Sequence, residues 1–228
     1  MYMSENHSQL VKSARITGIW YLLLAISGVL GFMVVHPQVF VSGDPEATLT
    51  NLIDQESTAR LRLLLEFAIV VSQALTAVWF YKLFKDEDQW ASWVMGTWGM
   101  TNAVVIMISA IAMASAISIA NASMPALEDK VVIIQVLQYI ISNAWGIGGL
   151  FFGLWLFPMG YLAIKSKRMP VWLGRVILLG GLGYLVSTVV RYSGIDFSYN
   201  RFLILPATIG EFWMIGYLLF VGVRNDKN

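Results

Sequence analysis

The sequence predicts an all-α polytopic integral membrane protein: a six-transmembrane-helix bundle with an amphipathic outer loop, read as one domain over 1–228. Three observations carry that expectation. Of 228 residues, 57% are hydrophobic and 13% charged, and the mean hydropathy is +0.68, outside the range of soluble domains. The apolar residues gather in runs of the ~20 residues that a helix needs to cross a hydrocarbon core. Lysines and arginines sort to the ends of those runs and favour one side of the membrane.

The first run, 16–35, is longer than the apolar region of a signal peptide and lacks a small-x-small cleavage site, which predicts a retained span. Further spans are predicted at 62–83, 91–117, 144–164, 171–190 and 203–223. Between the third and fourth, "VVIIQVLQYIISN" (131–143) is also apolar, and with the fourth it forms a run too long for one straight crossing of about 30 Å. That segment is expected to extend the helix, to lie at the interface or to re-enter. In the 36–60 loop, Asp44-Pro45 followed by Leu49, Leu52 and Ile53 at helical spacing predicts a short amphipathic helix on the membrane surface. Its role reads as a lid or, in the simpler reading that we favour, as a connector that buries one face.

With six spans, one side holds Lys12, Arg15, Lys82, Lys85, Lys165, Lys167, Arg168, Arg175, Arg224 and Lys227, and the other holds Arg60, Arg62, Lys130, Arg191 and Arg201, ten against five. Cytoplasmic loops carry the excess, so the expectation is a plasma (inner) membrane protein with both termini cytoplasmic. Tyr81, Trp90, Trp93 and Trp172 fall near the same ends, as an aromatic belt does.

Composition also excludes function classes. A formal net charge of +1 offers no basic excess for nucleic acid. The absence of cysteine removes disulfides, thiolate metal sites and cysteine nucleophiles. His7 and His36 are the only histidines, no Asp falls inside a predicted span, and every Lys lies near a span end or in a loop. Those placements argue against Ser–His proteolysis, bis-histidine haem, an intramembrane Asp dyad and a retinal Schiff base. The sequence therefore predicts no metal and no cofactor. "GIGGLFFG" (146–153) follows no strand, so Gly146, Gly149 and Gly153 read as a small-residue packing stripe rather than a phosphate loop. "LGGLGYL" (179–185) reads the same way, and Asn102 is expected to make an interhelical hydrogen bond.

The candidate site rests on acids inside spans. An ionisable group near a helix centre costs roughly 2.5–3.5 kcal/mol on insertion scales, so it faces a partner or a wet cavity. Glu211 lies about nine residues, or roughly 13 Å, into the sixth span, and Glu66 roughly 9 Å into the second. Arg62, Glu66 and Gln73 share one face of their helix through spacings of four and seven. Convergence of these faces would bring Arg60, Arg62 or Arg191 to the acids, in an outward-facing polar pocket beneath the 36–60 loop. Pro206 is expected to bend the sixth helix and free a carbonyl near Glu211.

"ARITGIWYLLLAISGVLGF" (14–32), "FFGLWLFPMGYLAIKSKRMPVWLGRVILLGGLGYL" (151–185) and "LPATIGEFWMIGYLLFVGV" (205–223) resemble a bacterial membrane family known as domain of unknown function 4386. The resemblance runs from about Ala14 to Val223 and implies a six-helix membrane fold with no assigned activity. It also implies an Arg at the outer start of the second span, an acid six residues later and a Gly-Glu pair in the last span: here Arg60, Glu66, Gly210 and Glu211. Glu66 stands where the family more often has Asp.

Three functional readings follow. The first is binding or transport of an amphipathic, lipid-like small molecule, its polar end held by Glu66, Glu211, Arg60, Arg62, Arg191 and Gln73 and its tail by Met and Trp side chains. A homo-oligomer would supply the symmetry that a short chain without an internal repeat lacks for transport. The second is a non-catalytic membrane subunit whose polar cluster sets helix register. The third is an intramembrane lipid or isoprenoid enzyme with a buried Glu as general acid.

Overall fold

The computed structural model describes the backbone of residues 2–123 and 126–225 and the side chains of 7–123, 126–200 and 202–225. Of the charges sorted above, Lys227 and the side chain of Arg201 lie outside the described residues. Among the described residues there is no strand, and six helices are long and apolar enough to cross a membrane. The elements are α1 (Tyr2–Gly28), a π-helical stretch (Val29–Val35), α2 (His36–Val39), α3 (Pro45–Asp54), α4 (Glu56–Phe84), α5 (Gln89–Asn121), α6 (Leu127–Lys165), α7 (Val171–Ser193), a 3₁₀ turn (Asn200–Ile204) and α8 (Leu205–Phe220).

Local chemistry accounts for the boundaries. Pro37 has no N–H to give to the carbonyl four residues earlier, and its ring crowds that carbonyl. The helix widens into the π-helical stretch just before it and ends two residues after it. Asp44 caps α3, accepting the Ala47 N–H at 2.9 Å, with Pro45 in the first turn. Asp88 starts α5 in the same way. Its Oδ1 accepts the Ala91 N–H at 3.0 Å, and its Oδ2 receives Lys165 Nζ at 2.7 Å and Tyr161 Oη at 3.3 Å. The Ala91 N–H first, and the Lys165 hydrogen bond second, hold the Asp88 carboxyl down at about 2.

One expectation changes and two that were open are decided. The 131–143 segment neither re-enters nor lies flat, but forms part of α6, a single 39-residue helix that also tolerates Pro158. Pro206 does not bend the last helix. It occupies the first turn of α8, where its missing N–H has no intrahelical acceptor to lose, and the 3₁₀ turn precedes it. The apolar face of α3 does not rest on lipid: Leu49 and Leu52 are buried in a protein core, while Ile53 is 43% exposed. The loop helix is a connector with one buried face.

The chain divides into two compact units, and α1, α4, α5 and α6 contribute residues to both. One unit comprises Leu23–Val71 and Ala103–Trp145. Its core joins Val39, Phe40, Leu49 and Leu52 to Met113, Ile117, Ile134 and Ile141, so α2, α3, α5 and α6 share one apolar cluster. Lys130 closes the α5–α6 connection, giving Nζ to the Ala120 and Ala122 carbonyls at 3.1 and 2.5 Å.

The other unit comprises Met1–Leu22, Ser72–Asn102 and Gly146–Asn228. Small residues let its helices approach closely. A Cβ on Gly153 would meet the Gly181 carbonyl at 3.0 Å, and one on Gly149 would meet Thr188 Oγ1 at 2.9 Å, so the predicted α6 stripe packs on α7. On the next face of α7, Gly180 abuts the Ala207 backbone and Gly183 the Leu203 carbonyl. Gly210 faces back toward α7, where a Cβ would have to push aside Ile177 Cδ1, 2.9 Å away.

Candidate functional site

In the Leu23–Val71 and Ala103–Trp145 unit, the spacing of four from Arg62 to Glu66 produces the expected pairing. Arg62 Nη1 lies 3.1 Å from Glu66 Oε2, with both side chains almost wholly buried. The second carboxylate oxygen is also satisfied, because Trp145 Nε1 donates to Glu66 Oε1 at 3.0 Å and shares its proton with Ser109 Oγ at 3.2 Å. Arg62 Cζ stands 4.8 Å from the centroid of the Phe32 ring, on the π-helical stretch. Phe32 packs edge-on to Trp145 at 4.1 Å and stacks on His36 at 5.0 Å. Gly31, one residue before Phe32, faces the same guanidinium: a Cβ there would sit 3.8 Å from Arg62 Nη1, in ordinary contact. Glu66 is thus a charge whose two oxygens are engaged from two helices, inside a wall of rings.

Arg60, which the resemblance places at the same helix start, turns to Glu56 at 2.5 Å on the exposed surface rather than to Glu66. Such an exposed pair contributes little, on the order of 0–1 kcal/mol.

Glu211 belongs to the other unit and takes a different partner. Tyr21 Oη donates to Glu211 Oε1 at 2.6 Å. Tyr21 itself is buried at 2% exposure, while Glu211 remains partly exposed. Tyr21 is held by edge contacts to Phe80, 5.7 Å away at 78°, and to Trp155, 5.6 Å away at 82°. Phe80 and Trp155 meet edge-on in turn at 6.0 Å, so two rings brace the one that carries the hydroxyl. Gly210 allows α8 to lie against α7 one residue before the acid. Arg191 lies against Gly146 and over the Tyr192 ring at 5.7 Å.

The sequence-predicted residues therefore fall into two groups. Arg60, Arg62 and Glu66 belong to one unit, and Gln73, Arg191 and Glu211 to the other. Gln73 is fully buried, and neither its Oε1 nor its Nε2 has a partner among the described residues. Asn102 does not make the expected interhelical bond, as both of its amide atoms are likewise buried and unpartnered, and Trp155 Nε1 is a further such donor. An unpaired buried polar group costs about 1–3 kcal/mol. Among the described residues no group of three or more His, Cys, Asp or Glu could hold a metal.

Tyr21, Trp145, Ser109, Phe32 and Trp155 were not singled out from sequence. The available signal was a Tyr or Trp deep in a span, whose polar atom needs a partner when buried.

Six apolar crossings with polar groups inside them define a polytopic α-helical membrane protein. The chain belongs to the family described as domain of unknown function (DUF4386), matched over residues 16–222. It is 33% identical over 69 residues to an uncharacterised protein of Archaeoglobus fulgidus, a stretch that makes up 30% of this chain and 43% of that protein. The match thus spans less than half the length of that relative. No solved structure matches the chain.

Proposed function

We propose that the protein binds an amphipathic, lipid-like small molecule, with Glu211 and Tyr21 holding its polar end. One observation carries this reading: Glu211 is a partly exposed carboxylate within a membrane span whose hydrogen bond among the described residues comes from Tyr21, leaving Oε2 for a donor on a guest. A carboxylate in that setting calls for a hydroxyl or amine partner. Arg191 belongs to the same unit and is proposed as a further contact. The ten-to-five distribution of Lys and Arg supports an orientation with both termini cytoplasmic, in a plasma (inner) membrane. A homo-oligomer would supply the paired halves that transport, as distinct from binding, requires.

The register-setting reading fits Glu66. Its closed network with Arg62, Trp145 and Ser109 leaves no carboxylate oxygen unpaired, and we propose that Arg60, Arg62 and Glu66 serve helix packing rather than ligand contact.

The test is mass spectrometry of the organic extract from protein purified in mild detergent, with wild type run beside Glu211→Gln and Tyr21→Phe. The proposal expects one compound near stoichiometric with wild type and depleted in both variants. Matching extracts that contain only bulk lipid would contradict it.

A further inference from the structure

Gln73, Asn102 and Trp155 are fully buried or nearly so, and five of their polar atoms, Gln73 Oε1 and Nε2, Asn102 Oδ1 and Nδ2 and Trp155 Nε1, have no partner among the described residues. Exchanging the amide O and N of either residue changes nothing, since both atoms of each are unpaired.

The packing places these residues together. Helices α4, α5 and α6 meet where a Cβ on Gly99 would lie 2.8 Å from Ala77 Cβ and 2.9 Å from Trp155 Cε3. Gln73 precedes Ala77 by four residues and Asn102 follows Gly99 by three, so each amide shares the face of its contact residue, about one turn along. Gly96 faces Tyr81 and Ala77, and the short Lys85–Asp88 connection makes α4 and α5 antiparallel neighbours. Stepping from Ala77 to Gln73 and from Gly99 to Asn102 therefore moves in one direction, and both amides lie on the same side of the Gly99–Ala77 contact that the Trp155 indole joins, about one turn from it. Phe80 and Tyr21 pack against that indole.

We infer that Gln73, Asn102 and Trp155 form a binding recess for an uncharged guest that both donates and accepts hydrogen bonds: a hydroxyl or amide group of an amphiphile, or ordered water. The atoms set the class. Two carbonyl oxygens and three N–H-bearing groups offer a neutral guest partners of both kinds. A bare cation would find two side-chain oxygens where hard cations take six or so. An anion would find no cationic side chain among these three residues. The recess is distinct from the Glu211 carboxylate and does not rest on the reading given to that acid.

The test uses the full chain in lipid nanodiscs, with near-isosteric apolar variants Gln73→Met and Asn102→Leu. An occupied recess predicts density joining the three side chains in a wild-type structure that resolves ordered water. It also predicts a Tm lowered by ~2–4 °C or more in each variant, because the guest loses its bonds. No density in wild type, or a Tm that rises or stays level in both variants, overturns the inference, since an empty recess is relieved when its polar atoms go. Organic extracts separate the two sources of the guest. Loss of a copurifying compound from the Gln73 and Asn102 variants assigns the group to an amphiphile, and an unchanged extract assigns it to water. Loss of that compound from Glu211→Gln alone leaves this inference untouched, so the two sites fail separately.

Discussion

At the scale of the residue, two carboxylates of one chemical type hold different roles because their surroundings differ. Glu66 has both oxygens engaged and a buried guanidinium beside it, so removing either charge leaves the other stranded. Arg62→Met and Glu66→Leu are each expected to destabilise by about 3–5 kcal/mol, whereas the two together restore much of the loss. Thermal melts of the four proteins of that cycle check this. The surface carboxylate of Asp88 is different again. Its folded pKa of about 2 lies below the ordinary 3.8, so it stabilises the fold above pH 4, and that contribution is lost as pH falls through 2. The gap in Tm between wild type and Asp88→Asn should be full at pH 5 and close toward pH 2, since Asn keeps the cap and loses the charge. The Arg62–Glu66 pair was legible in the sequence because a spacing of four on a helix is a contact by geometry. The Tyr21–Glu211 bond was not, because it joins residues 190 apart and needs the packing of α1 on α8.

At the scale of the element, glycine decides which helices meet. Gly180 and Gly183 have backbone atoms of Ala207 and Leu203 where a Cβ would go, while Gly28 and Gly216 have nothing within 4 Å. Gly180→Ala and Gly183→Ala should lower Tm sharply, whereas Gly28→Ala and Gly216→Ala should stabilise by about 0.5–1 kcal/mol through helix propensity. On α3 the same logic separates neighbours: Leu52→Ala in the core should cost about 2–5 kcal/mol and the exposed Ile53→Ala much less. The glycine stripes were legible as packing faces from their spacing. What each face met was not, nor was the π-helical stretch, since hydropathy windows register length and not the turn on which a proline acts. The fate of 131–143 was open for the same reason: apolar length alone does not separate one long helix from a helix and a re-entrant segment.

At the scale of the whole molecule, six spans and their order were readable from hydropathy because lipid leaves the backbone no option but helix. The proposed sidedness rests on charge counts and can be checked on a chain that has no native cysteine. A membrane-impermeant thiol reagent should label Asp196→Cys in intact cells, and Asp86→Cys only after the membrane is opened. The central claim is that Glu211 holds a guest, and native mass spectrometry of the intact protein tests it most directly. Wild type should carry one adduct of defined mass per chain, retained by the Arg62→Met, Glu66→Leu double variant and lost from Glu211→Gln. The same adduct on Glu211→Gln as on wild type, or a spread of bulk lipid masses on all three, would contradict the claim and leave Glu211 as a packing residue.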